Sequence, residues 1–370
     1  MEDAFRFADD LGPFKIVHIH HAGIGLKAAV VIDNTACGPA LGGVRMALDA
    51  TTEEAFRLAR AMTFKNAAAG LAHGGGKAVI VADPKQSPGE KERLVRAFAA
   101  AIGNLTDYIP GPDMGTDETA MAWIADEIGR AVGLPLELGG IPLDEIGATG
   151  FGLAVAIEVA ARAIDLDLAG ARVVVEGFGS VGKHAAQFLA AKGTVLVAAS
   201  DSQGAIIDAA GLDVTALSAL KAAGRPLKDH ARGQARGRET VIDVACDIWI
   251  PAARPDVITE ENAARLNVRI VAQGANIPCT AGAEEMLARR GVLVLPDFIA
   301  NAGGVICAAT EYRHGTQAQA FAAIEEKIRA NTQTVLVEAK RTNSLPRAAA
   351  ISLARQRVQK AMRVRRWGAS

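Results

Sequence analysis

The chain has 370 residues, half of them apolar and 22% charged, with a formal net charge of −1. This excludes a disordered chain, suggests about two domains at ~100–200 residues each, and offers no global field for nucleic acid or anionic lipid. With 11 Phe, 3 Trp and 2 Tyr, the cores must be built from Ala, Val, Leu and Ile.

The first ten residues, MEDAFRFADD, are acidic and lack the apolar stretch of a signal peptide. No run of ~18 uncharged apolar residues suggests a membrane span. Cys37, Cys246, Cys279 and Cys307 form no CxxC pair, so a reducing, cytoplasmic setting is expected and the thiols are read as small residues of the core. Two apolar runs between Ile16 and Asp33 flank Ala22–Gly25 and predict a hairpin. His18 and His20 share a strand face but have no third partner, so no metal site is expected. Thr51 or Thr52, followed by Glu53 and Glu54, opens a helix to about Ala68. Lys77–Ala82 reads as a buried strand, Glu90–Asn104 as a helix, and Ile109–Gly115 as a loop rich in Pro and Gly.

After Gly150 the pattern becomes that of a doubly wound α/β domain. A helix over Leu153–Ile164 precedes a strand at Arg172–Glu176, a helix at Val181–Ala191 and a strand at Val195–Ala199. Further strands are expected near Ile248, Val271 and Val294. Arg225–Arg238 reads as a polar linker. Gln317–Arg366 reads as two long helices broken before Pro346, basic and solvated at the end. The fold class expected is two-domain α/β. Residues 1–148, joined by helices of about 330–370, would form a substrate-binding and oligomerisation domain. Residues 149–329 would form a Rossmann dinucleotide-binding domain.

Three stretches carry chemistry. Gly177-Phe178-Gly179-Ser180-Val181-Gly182 is GxGxxG between a strand and a helix. Gly177 permits the tight turn, Gly179 a close approach to pyrophosphate, and Gly182 close helix packing. The helix N-terminus would face the phosphates. Asp201, at the end of the next strand, is spaced for a ribose 2′-hydroxyl and favours NAD, while Ser200 and Ser202 beside it could tolerate the phosphate of NADP.

The second stretch is MTFKNAAAGLAHGGGK, Met62–Lys77. It fails as a P-loop, because Leu71 stands where the first Gly belongs and Ala78 follows the lysine. Its three glycines would let a small substrate touch the backbone. Lys77 opens an apolar strand, so burial would lower its pKa and suit it to general-base work. The third stretch, Gly111–Thr116, supplies Asp113, a turn aspartate that gains meaning beside the lysines.

GLKAAVVID, GPALGGVRM, MTFKNAAAGL with GGGK, GPDMGT, GFGSVG, IPAA, VITEEN, GAN and PDFIANAGGV follow in this order between Gly25 and Tyr312. Together they resemble the glutamate/leucine/phenylalanine/valine dehydrogenase family, in the substrate-domain motifs most nearly its leucine and phenylalanine members. The resemblance implies reversible, NAD(P)-linked oxidative deamination of an L-amino acid to a 2-oxo acid and ammonium. It also implies a homo-oligomer, and a cleft between the domains that closes to exclude water.

By resemblance, Lys65 would hold the substrate α-carboxylate, Lys77 would activate water and Asp113 would relay protons. Thr149 would bond the nicotinamide carboxamide, and Asn276 and Asn301 would contact cofactor or substrate. Gly177–Gly182, Asp201, Ser202 and the IPAA residues Pro251, Ala252 and Ala253 complete the implied cofactor site. Leu41, Gly42, Gly43, Gly111, Val305 and Ala308 would line the substrate pocket.

Glutamate-specific members have a lysine at the position of Leu41 and a serine at that of Ala308. An unpaired buried γ-carboxylate would cost several kcal/mol. The expected substrate is therefore apolar, of the leucine, valine, isoleucine or phenylalanine type. The alternatives are a glutamate dehydrogenase, needing another anchor such as Arg45 or His73, and a non-catalytic dinucleotide-binding subunit.

Overall fold

The computed structural model describes residues 5–365. The chain divides into two compact units. The first holds the residues up to Pro142, Val305–Ala320 and those from Ile351 onward; the second holds Leu143–Gly304 and Phe321–Ala350.

In the first unit, β1 (Lys15–His21) and β2 (Leu26–Asn34) form the predicted hairpin. There follow β3 (Ala40–Ala47), α1 (Thr52–Ala68), β4 (Gly74–Val81), α2 (Pro88–Ala101), β5 (Tyr108–Pro112) and α3 (Glu118–Ile128). The strands make one mixed sheet, β1-β2-β4-β3-β5. Ala28, Val30 and Ile32 of β2 pack with Phe98 of α2 and Met121 of α3, whereas Ala29 and Val31 pack with Ala55 and Ala59 of α1. A strand covered on both faces has no solvent side, so its apolar run does not alternate.

Two expectations change here. The GGG run, expected to open the backbone to a small substrate, lies inside β4, between β2 and β3 and under α1. A Cβ on Gly74 would meet the Asn34 carbonyl, and one on Gly75 the backbone of Thr63 in α1. These glycines are therefore needed for layer packing. Part of Ile109–Gly115 is not loop but edge strand, β5, where Pro110 and Pro112 are tolerated.

The second unit contains α4 (Ala148–Ala163), β6 (Arg172–Glu176), α5 (Ser180–Ala190), β7 (Val195–Asp201), β8 (Gly204–Ile207), α6 (Val214–Ala222), β9 (Gln234–Arg236), β10 (Ile248–Pro251), β11 (Ile270–Ala272), α7 (Ala281–Arg289), β12 (Leu293–Leu295) and α8 (Asp297–Ala300). Its sheet runs β12-β11-β10-β6-β7-β8-β9. The first five strands are parallel, and β8 and β9 add an antiparallel edge, so the expected polar linker contains a strand. The strand order reverses at β6, which puts the glycine loop at the topological switch point.

The last helices are α9 (Gly303–Glu311), α10 (Gln317–Thr342) and α11 (Pro346–Val364). The first boundary falls at Pro142/Leu143 rather than near 148, and the helices are shared between units rather than all joining the first. Phe321 stacks edge-on against Phe151 of α4, and Arg347 pairs with Glu284 and Asp297, which holds this stretch to the second unit. Further along α11, Arg357 donates to the carbonyls of Ala67 and Ala68 in the first. Arg366, at the end of the basic run, lies outside the described residues. No described helix is long and apolar enough to cross a membrane.

Candidate active site

Lys77 stands on β4 with its side chain 6% exposed, and its ammonium forms an ion pair with Asp113. Asp113 is itself fixed. Its N–H donates to Thr116 Oγ1 at 3.0 Å, and Oδ1 accepts from Met114 N–H at 2.6 Å and from Arg45 at 3.2–3.3 Å. Arg45, on β3, also pairs with Glu54 of α1. Gly43 lies beneath: a Cβ there would come within 2.8 Å of the Asp113 Cβ.

Lys65 occupies the last turn of α1, half-buried. Burial pushes the Lys77 pKa down to about 7, with the charges of Arg45 and Lys65 adding to the shift and Glu54 opposing it. The Asp113 carboxylate favours the ammonium, so burial and the two cations set the direction. One buried amine, two carboxylates and two cations thus share a small region of a single unit. That arrangement can hold an anion and move protons at neutral pH.

Leu41 and Ala308 meet in one apolar cluster with Ile109 and Val132, and Tyr312 packs against it. Gly111 borders the cluster, a Cβ there reaching 3.0 Å from Val132. Val305 is partly exposed, at the start of the same returning segment. Val132 and Tyr312 had no signal in the sequence. Ile109 had one, lying two residues before Gly111 on what proves to be a strand. Of the two alternative anchors, Arg45 is engaged by Glu54 and Asp113. His73 is 3% exposed, its ring edge against Tyr312 and its Nδ1 on the Pro39 carbonyl. Burial lowers the His73 pKa, so a neutral imidazole is favoured.

In the second unit, Gly177 adopts φ +94°, and its N–H and that of Phe178 both donate to the Ser200 carbonyl. Phe178 is buried, which anchors the loop. A Cβ on Gly177 would press on Ala253, and one on Gly182 on the Gly177 carbonyl. Gly179 alone faces open space, with nothing within 4 Å of its Cβ position. The first turn of α5, from Ser180 and Val181, has no side-chain cap; the Ser180 hydroxyl donates instead to the Asp144 carbonyl at 3.0 Å. An open glycine face beside uncapped N–H groups fits a pyrophosphate.

Thr149 lies in the first turn of α4, its Oγ1 3.0 Å from where a Cβ on Gly304 would be. Asn301 donates through Nδ2 to Asn276 Oδ1 at 3.0 Å, while its own Oδ1 is buried without a hydrogen-bond partner. Pro251 ends β10, and the N–H of Ala252 after it donates to the Glu176 carbonyl at 2.7 Å. Ser202 is exposed at the turn after β7. Asp201 differs from expectation. Its side chain is 6% exposed, and its oxygens already accept from Gln203 N–H, Leu227 N–H and Lys221 Nζ. Cys279 and Cys307 are buried and free, with burial pushing both thiols up to about 12.

Comparison with known proteins gives one pattern. The sequence model described as Glutamate/Leucine/Phenylalanine/Valine dehydrogenase matches residues 139–366, and that of the Glu/Leu/Phe/Val dehydrogenase dimerisation domain matches 15–130. A glutamate dehydrogenase of Aeropyrum pernix is 40% identical over 358 residues, covering 90% of this chain and 85% of the relative. An NADP-specific glutamate dehydrogenase of Saccharolobus shibatae is 37% identical over 293 residues, covering 75% and 69%. Among solved structures, the hetero-hexameric glutamate dehydrogenase of Thermus thermophilus in its leucine-bound form superposes with TM-score 0.85 at 31% identity, covering 96% of this chain and 90% of that one.

Proposed function

The chain belongs to the Glu/Leu/Phe/Val dehydrogenase family, and on that premise we propose that Lys77, Asp113 and Lys65 carry out the proton transfers and substrate binding of an L-amino acid dehydrogenase. The family membership makes it an oxidoreductase acting on the CH–NH2 group of an amino acid with NAD or NADP as acceptor. The balance is one amino acid, one oxidised dinucleotide and one water giving a 2-oxo acid, ammonium, the reduced dinucleotide and one proton.

The observation that carries the assignment of roles is the buried Lys77–Asp113 pair. Lys65 pairs with the α-carboxylate. Asp113 takes a proton from the α-ammonium, leaving the amine neutral so that hydride can leave Cα. Lys77, as free amine, takes a proton from the water that adds to the imine carbon. Gly177–Gly182, Thr149 and Asn276 would hold the dinucleotide, which would supply the hydride acceptor.

The base form of Lys77 grows as pH rises through its lowered pKa of about 7. Accordingly kcat/KM for amino-acid oxidation should rise about tenfold per pH unit below about 7 and level off above it. A profile of initial rates between pH 5.5 and 9, at constant ionic strength, checks this.

The substrate has two readings. The relatives named above are glutamate dehydrogenases, which supports L-glutamate, ranked second on sequence, better than the apolar substrate ranked first. An apolar L-amino acid is favoured by one specific observation: Leu41 and Ala308 pack with Ile109 and Val132 in one apolar cluster, and Arg45 is engaged by Glu54 and Asp113. Initial rates with L-glutamate, leucine, valine and phenylalanine, each with NAD and NADP, decide between them. On either reading, Leu41→Lys should raise the glutamate-to-leucine ratio of kcat/KM by about tenfold or more, since a charge-assisted hydrogen bond is worth ~1.5–3 kcal/mol. The dimerisation-domain match and the hexameric relative further support self-association, which light scattering would measure.

A further inference from the structure

We propose that Arg347 and Asp297 are positioning residues for the nicotinamide half of the cofactor, and that they act by holding residues 274–277, which include Asn276, in one binding shape. This rests on the dinucleotide-binding reading of the glycine loop and of Asn276. It adds two side chains that act through the backbone of this segment and not on the cofactor itself.

The segment follows β11, at the ends of the parallel strands where such a sheet binds its ligand. In the sheet order β10 and β11 lie on one side of β6, and β7 lies on the other. A dinucleotide that crosses the switch point with its adenosine ribose toward the end of β7 therefore brings its nicotinamide half to this segment. Asn276 and Ile277 are exposed at its tip. Ile277 adopts φ +49°, a left-handed conformation that a β-branched residue rarely takes and that surrounding contacts must impose.

Those contacts converge on one guanidinium. Arg347 Nη2 donates to Gln273 Oε1 at 3.0 Å, at the residue before the segment. Its Nη1 donates to Asp297 Oδ1 at 2.9 Å, and Asp297 Oδ2 accepts the Ile277 N–H at 2.8 Å, at the end of the segment. Its Nε donates to Glu284, which also accepts from Gln273 Nε2. Gln273, Glu284 and Asp297 are buried, so water competes little for these bonds. A guanidinium is a rigid planar fork and meets all three partners at once. Stability of the fold alone gives no reason for a strained isoleucine at an exposed tip, whereas presentation of Asn276 does. The network joins the end of β11 to α7, α8 and α11, which are far apart in the chain, so neither residue was marked by the sequence.

Two variants of the full-length protein test this. In Asp297→Asn the amide has one acceptor oxygen for two donors, so either Arg347 or the Ile277 N–H is left without its partner. Arg347→Lys keeps the charge and loses the fork. Each variant should raise the Kd of NADH, or of NADPH where the parent prefers it, by about tenfold or more. The Kd of the matching adenosine fragment, ADP or 2′-phospho-ADP, should stay within about threefold, because the fragment meets only the glycine loop and the end of β7. Nicotinamide fluorescence reads the first quantity and titration calorimetry the second. A lower thermal midpoint with dinucleotide affinity unchanged, or an equal loss for dinucleotide and fragment, would overturn the proposal. A parent protein that binds neither would overturn the dinucleotide-binding reading and this inference with it.

Discussion

Lys77→Met is expected to lower kcat for amino-acid oxidation by about a thousandfold, while the dissociation constant of the reduced cofactor stays within about threefold. Methionine retains the apolar length of the lysine and removes only its amine. Asp113 keeps its two hydrogen bonds from Arg45 and that from Met114 N–H, so no buried carboxylate is orphaned. The loss therefore reports the proton transfers and not a collapse of the site. Initial rates beside fluorescence titration with NADH or NADPH give both quantities. A variant retaining more than about a tenth of the parent kcat would remove Lys77 from the mechanism.

Gly42→Ala is expected to cost about 4 kcal/mol or more in stability and to lower the thermal midpoint by about 10 °C, or to prevent soluble expression. A Cβ on Gly42 would sit 1.6 Å from the Gly76 carbonyl oxygen and 2.6 Å from its carbon. Both are backbone atoms, so no side chain can turn away. β3 and β4 would have to separate at the strand that carries Lys77. Gly89→Ala, in α2 with nothing near its Cβ position, serves as control and should shift the midpoint by less than about 2 °C. Differential scanning calorimetry of the two variants reads the contrast. Similar midpoints for both would mean that the close approach of the strands is not maintained in solution.

Local signals explain what could be read without a structure. The strand before Gly177 and the helix after Gly182 are each written in a short window, and so is the hairpin around Ala22–Gly25. Thr51, accepting from Glu54 N–H at 3.1 Å, caps α1 where the sequence put its start. Lys77 and Asp113 were legible as candidates because an ionisable group at the mouth of an apolar strand invites a reason.

Non-local packing explains the rest. The glycines before Lys77 suggested access for a substrate, yet Gly74 and Gly75 are required by Asn34 and Thr63, partners set by topology. β5 was hidden by its prolines, which only an edge position permits. The sharing of α10 and α11 between units depends on Arg347 reaching Glu284 and Asp297, and no sequence period records that pairing. Asp201 looked free for a ribose because Lys221 lies on another element.

The most direct test of the central claim is initial-rate formation of NADH and NADPH with a panel of L-amino acids at alkaline pH, for the parent protein and Lys77→Met, with ammonium release measured alongside. The expected result is reduction that depends on an L-amino acid, matched mole for mole by ammonium, and lost in the variant while cofactor binding persists. Reduction with no L-amino acid, or an undiminished rate in Lys77→Met, would contradict the account.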